Sequence, residues 1–350
     1  MPPPASLAAI ARSGWGALCR FAELKPSQAN VTIGLDIGSS VVKAVAIGPP
    51  RRHRPPALLG RACIASDGSE ASLADAVRQA ISALQVPSKT VNVSVSGQWV
   101  IMRVVEMPSL KPDEFQRALS FEAQRHLPFN LDEVVLDGAI LGPAEAGKMW
   151  ALLVACKREL LERRVALVKH AGLEPAVIDV DAVALANVFA HQVRQAQAPS
   201  HTTAWLNLGA QWTNLLVLKG DVPYLVRDIP WGSAKLAREL AEQVGRPEAD
   251  VAAALSSGAA LPAEWTPALK GAVQSLGSDL QLSFDFFESR FGTPPDQIIL
   301  SGGAIRSSAL LEKLTAEFLQ PVTRWSLGED ELSSDFAVAY GLAVRDIVSA

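Results

Sequence analysis

Residues 31–48 read VTIGLDIGSSVVKAVAIG, and residues 203–220 read TAWLNLGAQWTNLLVLKG. In each, an apolar strand ends near a polar residue, one glycine turns the chain, and a second β-branched, apolar strand leaves. Aligned without a gap, Asp36-Ile37-Gly38-Ser39-Ser40 falls on Asn207-Leu208-Gly209-Ala210-Gln211, about half a chain later. Similarity of whole supersecondary units at a fixed offset is a signal of architecture. It predicts two similar lobes facing each other across a cleft, with a ligand bound between them as the first functional expectation.

The chain has 350 residues, 49% of them apolar and 19% charged, which suits about two folded domains. A net charge of −4 spread along the chain argues against nucleic acid. Cys19, Cys63 and Cys156 are odd in number and far apart, so neither a disulfide framework nor a zinc spacing is expected, in keeping with a reducing compartment. No apolar run reaches the ~18–20 residues that cross a bilayer. The start, MPPPASLAAIARSGWGALCRF, lacks a basic n-region and does not read as a signal peptide.

Within residues 1–30, Leu7, Ile10, Ala11, Trp15, Leu18, Phe21 and Ala22 recur at helical spacing. This extension is either a helix capping the body or an interfacial, partner-binding helix. Residues 31–97 form the first part of lobe one, with strands around the helix ASLADAVRQAISAL and the strand VNVSVSG. Residues 98–172 read strand, helix, strand, strand, helix: an α+β subdomain inserted into lobe one, whose first helix opens on Pro112, Asp113 and Glu114. Lobe one continues through 173–200, lobe two spans 201–325, and 326–350 returns to lobe one through the helix DFAVAYGLAVRDIV.

Three glycine turns carry the candidate chemistry. At the first, Gly38 lets backbone N–H groups approach an anion, Ser39 and Ser40 add hydroxyl donors, and Lys43 either adds a charge or faces solvent. Asp36, at the strand end, either caps its own turn or holds a hydrated Mg2+. Gly209 marks the second turn. The third, IILSGGAIRSSAL, runs from a strand through Gly302-Gly303 into a helix, which suits a sugar or base against bare backbone. The five histidines are scattered, and no Walker A sequence, nucleophile elbow or metalloprotease helix is present.

With these turns in place, the chain resembles the actin, heat-shock chaperone and sugar-kinase superfamily. Within it, GLDIGSSVVKAV, VVEMPSLKPDEF, SFEAQRHLPFNLDEVVLD, LLVACKRELLERRVALVKHAGLEPAVIDVDAVALAN, IILSGGAI and FAVAYGLAVRD are similar to the PilM family, the FtsA-like proteins of type IV pilus assembly. The resemblance implies an α/β, two-lobed actin-like ATPase fold of duplicated ribonuclease-H-like lobes with an FtsA-type 1C insertion. It implies ATP and Mg2+ as ligands, with Asp36, Gly38, Ser39, Ser40 and Lys43 as the first phosphate loop and Asp36 meeting Mg2+ through water. Asn207, Gly209 and Ala210 then form the second loop, Gly232 and Lys235 a segment near the ribose, and Gly302 and Gly303 the adenosine loop. It implies that 1C binds the N-terminal cytoplasmic tail of a bitopic inner-membrane partner, PilN, at the inner face of the membrane, and connects it to motor ATPases. Arg103, Glu122, Arg125 and Phe129 are the candidate partner contacts, although Glu122, Arg125, Asp132 and Glu133 also read as a solvated face. Trp99, Met102, Met107, Phe121 and Phe129 read as core of the insertion, some of them also lining a peptide groove.

The departures from the family are informative. Asn207 replaces the family's aspartate, keeping its size and losing the charge that binds Mg2+ or serves as a base. Gln211, beside bulky Trp212, stands where the family has a small or hydroxyl residue, and Gly232-Ser233-Ala234-Lys235-Leu236-Ala237 replaces Gly-Gly-x-x-Leu-Thr. Together they predict slow or absent hydrolysis and no catalytic residue. Two alternatives stay open: a small-molecule kinase of the superfamily, which needs a cleft carboxylate, and a cytoplasmic type II secretion component, which is expected to continue into a membrane helix.

Overall fold

Two five-stranded sheets with the same strand order organise the chain. The computed structural model describes residues 31–49, 56–196, 201–328 and 332–348, and the helix expected within residues 1–30 lies outside them. The chain divides into two compact units, one taking the described residues up to 197 and from 338 onward, the other those between 198 and 337.

The first unit runs β1 (Thr32–Ile37), β2 (Val41–Ile47), β3 (Leu58–Ala65), α1 (Glu70–Leu84), β4 (Thr90–Val95), β5 (Val100–Pro108), α2 (Pro112–Gln124), β6 (Val134–Pro143), β7 (Lys148–Lys157), α3 (Arg158–His170), β8 (Glu174–Val180) and α4 (Asp181–Ala196). The second runs β9 (Thr202–Leu208), β10 (Thr213–Lys219), β11 (Val222–Ile229), α5 (Ser233–Val244), α6 (Glu248–Ser257), α7 (Thr266–Phe291), β12 (Gln297–Ser301), α8 (Ser308–Glu317) and β13 (Val322–Arg324). A last helix, α9 (Ala337–Val348), leads back to the first unit.

The first sheet is ordered β3-β2-β1-β4-β8 and the second β11-β10-β9-β12-β13. In both, three antiparallel strands are extended by two parallel ones. The central strands β1 and β9 are apolar and buried along most of their length, as strands covered on both faces are. The duplication is therefore one of topology as well as sequence.

One connection breaks the symmetry. From β12 to α8 the second unit needs only Gly302-Gly303 and a 3-10 turn at Ala304–Arg306. From β4 to α3 the first unit carries a separate three-stranded sheet, β5-β7-β6, with α2 across one face. Lys111 N–H donates to Glu114 Oε2 at 2.9 Å, closing the first turn of α2 around Pro112. Phe115, Leu119 and Ala123 then share one side, and the first two pack on Val105, Met107, Met149, Ala151 and Leu153. Each large side chain buried here contributes roughly 1.5–3 kcal/mol. The following helix, α3, packs on β8, α1 and β4 as well as β7, so it also layers the first sheet.

Trp99 and Phe121 correct the core expectation for the insertion: they are 42% and 67% exposed. Phe121 lies two residues from both Leu119 and Ala123, which at about 100° per residue turns it off the buried stripe. Met102 and Met107 are buried as core residues, and Phe129 is half-buried.

Helix α9 docks through glycines. A Cβ on Gly34 of β1 would stand 1.9 Å from the Ala339 carbonyl oxygen, and one on Gly341 would stand 1.9 Å from that of Ala184 in α4. Bare backbone on both sides lets α9 lie directly against strand and helix. Asn92 Nδ2 donates to the Leu342 carbonyl at 3.0 Å, and Arg345 Nε lies 3.5 Å from Asp179 Oδ2.

Candidate functional site

The first turn stands at the carboxyl end of β1. Gly38 N–H donates to the Val41 carbonyl at 3.1 Å, and Ser66 N–H, after β3, donates to the Ser40 carbonyl at 2.9 Å. Asp36 is buried, and Lys43, opposite it on β2, donates from Nζ to Asp36 Oδ2 at 3.1 Å. The parallel strands β4 and β8 bring their carboxyl ends to the same edge, the usual ligand-binding edge of α/β sheets. There Ser94 Oγ donates to Asp181 Oδ1 at 2.6 Å, and Arg164 Nη1 of α3 donates to the Ile37 carbonyl at 3.1 Å. Burial pulls the Arg164 guanidinium below its usual range, and the charges of Asp181 and Asp36 oppose that shift. Arg164, Ser94 and Asp181 are absent from the sequence reading of this site.

The second turn repeats the backbone geometry with different chemistry. Gly209 N–H donates to the Trp212 carbonyl at 2.9 Å. The register β9–β10 sets Asn207 opposite Asn214, as β1–β2 sets Asp36 opposite Lys43. Asn207 Nδ2 donates to Asn214 Oδ1 at 2.9 Å, and Asn207 Oδ1 accepts from Ser301 Oγ at 3.1 Å. Gly232 packs against the same turn, where a Cβ would stand 2.4 Å from the Ala210 carbonyl oxygen. The first N–H groups of α5 are used there: Ser233 donates to the Gly209 carbonyl and Ala234 to that of Ala210, at 3.0 and 2.9 Å. Lys235 is paired along its own helix with Glu239 at 3.8 Å.

The third turn follows β12. Gly302 has φ +100° and passes so close to β9 that a Cβ would meet the Leu208 carbonyl oxygen at 2.3 Å. Its N–H donates to the Ser334 carbonyl at 2.9 Å, while Gly303 faces open space. Gly209, Gly232 and Gly302 thus share the edge at which β9, β11 and β12 end.

On the insertion, the candidate partner residues fall in separate places. Glu122 and Arg125 form an ion pair at the C-terminal end of α2 at 3.6 Å, beside exposed Phe121. Phe129 sits with Trp99 at a ring separation of 6.3 Å, and Lys157 Nζ lies 4.7 Å from both ring centres. Arg103 is exposed on β5, opposite Leu153 of β7.

Residues 34–347 match the family described as type IV pilus assembly protein PilM. The chain belongs to the PilM family. Its fold is similar to that of a solved PilM-PilN type IV pilus biogenesis complex, with a TM-score of 0.77 and 24% identity over 92% of this chain and 99% of that one. It is also similar to the ethanolamine utilization protein EutJ from Carboxydothermus hydrogenoformans, with a TM-score of 0.55 and 11% identity over 92% of each chain. MreB5 of Spiroplasma citri bound to ADP gives a TM-score of 0.51 at 12% identity, over 92% of this chain and 98% of that one. The architecture is that of the actin-like ATPase fold. No helix among the described residues is long and apolar enough to cross a membrane.

Measured against the ligands of such folds, the turns of this PilM-family chain fit an anion. The N–H groups of Ser39, Ser40, Ala210 and Gln211 have no hydrogen-bond partner among the described residues, the arrangement that receives phosphate. The fit to Mg2+ is one-sided. Asp36 supplies a carboxylate in the first unit, beside Lys43. Asn207 supplies an amide engaged at both ends, and no three His, Cys, Asp or Glu side chains cluster as metal ligands among the described residues.

The first unit also holds a buried charge cluster of Asp137, Asp179 and Arg345. Along β6, Leu136 and Ile140 pack with α2, so Asp137 points from the opposite face of the strand. Burial pushes both Asp137 and Asp179 up to about 6, the charge of Arg345 opposing the shift in each. The folded chain therefore keeps protons that the unfolded chain releases above about pH 4. The stability these two groups contribute is present at low pH and is lost as pH rises through about 6. Urea midpoints for wild type and Asp137→Asn between pH 4 and 7 check this, the variant being expected to fall less steeply. Parallel curves would contradict it.

Proposed function

We propose that the chain is a cytoplasmic scaffold of type IV pilus assembly whose inserted sheet, the 1C subdomain, binds the N-terminal cytoplasmic tail of a bitopic inner-membrane protein similar to PilN. That partner holds the protein at the inner face of the inner membrane, where it also meets the pilus motor ATPases. ATP acts as a conformational ligand at the glycine turns, with little or no hydrolysis. A ligand shifts such a scaffold only by binding one of its states more tightly than another.

The observation that carries the reading is the exposure of Trp99 and Phe121 on an otherwise well-packed insertion. Exposed aromatic residues beside paired charges resemble the anchors of peptide-binding surfaces. Family membership and the likeness to a protein solved with PilN point the same way. Calorimetry with a synthetic partner tail tests it. Saturable binding is expected, weakened about tenfold or more by Trp99→Ala or Phe121→Ala. Binding unchanged in both variants would sink the assignment to this subdomain.

A further inference from the structure

The two copies of the hairpin differ in what holds each turn. In the first, the β1–β2–β3 registers align Asp36, Lys43 and Cys63 across three strands. In the second, β9, β10 and β11 align Asn207, Asn214 and Asp228. An ion pair at 3.1 Å in one copy is an amide pair at 2.9 Å in the other. The carboxylate stands on the central strand in the first copy and on the outer strand in the second.

The second set forms a chain of donors running one way. Trp205 Nε1 donates to Ser301 Oγ at 2.7 Å, and Ser301 Oγ to Asn207 Oδ1 at 3.1 Å. Asn207 Nδ2 then donates to Asn214 Oδ1 at 2.9 Å, and Asn214 Nδ2 to Asp228 Oδ1 at 2.8 Å. Because each amide donates from nitrogen and accepts on oxygen, the terminal carboxylate sets the orientation of every member. The chain also ties the second turn to Ser301, the residue before Gly302.

We propose that Asn214 and Asp228 are positioning residues that hold the Asn207 amide in place as a structural clip, so that the second turn takes phosphate through its backbone N–H groups and without a metal ion. The positioning stands on geometry alone; the phosphate step rests on the nucleotide reading above. An aspartate at 207 does not restore a metal ligand simply. It accepts from Ser301, but its other oxygen then faces Asn214 Oδ1. If Asn214 turns over to donate, its oxygen faces Asp228 instead. Supplying a lysine at 214 rebuilds the pair that the first copy already uses.

The test is a double-mutant cycle of Asn207→Asp and Asn214→Lys in the full chain. It is read by thermal unfolding and by calorimetric titration of ATP in Mg2+ and in EDTA. Wild type is expected to bind ATP within about twofold in the two buffers. Asn207→Asp is expected to melt several degrees lower, with most of that loss recovered in the double variant. If the double variant regains stability while no protein binds ATP, the clip stands and the nucleotide reading fails. If Asn207→Asp alone is as stable as wild type and binds Mg-ATP more than tenfold tighter than ATP in EDTA, the positioning proposal is overturned.

Discussion

Arg345→Met is expected to lower the stability of the first unit by about 3–5 kcal/mol, the usual cost of removing one partner of a buried ion pair. Arg345 and Asp179 are 2% and 1% exposed, with Nε and Oδ2 3.5 Å apart. Without the arginine, Asp179 is left buried beside a second carboxylate, Asp137, whose charge raises it further. The loss therefore has a pH signature. Arg345 holds the Asp179 pKa down, so removing it raises that pKa, and the variant suffers most above about pH 6, where wild-type Asp179 is ionised. Below that value protonation relieves the unpaired charge, and the gap to wild type narrows. Denaturant unfolding at pH 5 and pH 8 measures both quantities. Equal losses at the two pH values would show that the arginine acts by packing alone.

Gly341→Ala, or Gly34→Ala, is expected to cost about 3 kcal/mol or more, about 6–12 °C in melting temperature for a unit of this size. The added carbon at either position would stand 1.9 Å from a backbone carbonyl oxygen, which cannot rotate away as a side chain can. Since α9 is held between β1 and α4 at these two points, either variant displaces it. Protease cleavage within 338–348 should then precede global unfolding. Wild-type melting in both variants would refute the direct backbone packing of this helix.

The sheets were legible because their signals are local: β-branched, apolar strands, a glycine at each turn, and an offset that carried one hairpin onto the other. The insertion was legible from its strand and helix periods. What escaped depended on boundaries and register. Helix α4 begins inside the run IDVDAVALAN, where β8 passes into it without a break in hydrophobicity, so Asp181 at the junction went unread. Strand β11 was missed, and with it Asp228. Asn214 falls on Lys43 at the same offset that aligns Asn207 with Asp36, yet its meaning needed the strand pairing and Ser301 as well. Phe121 and Trp99 read as core on apolar character, whereas helical phase and position at a strand end set their exposure.

Hydrogen–deuterium exchange of the full chain, with and without the synthetic tail of the bitopic partner, tests the central claim most directly. The account predicts slowed exchange concentrated in residues 98–157, around β5, α2 and the segment from Phe129 to Glu133. Slowed exchange confined to residues 201–337, with the insertion unchanged, would contradict it.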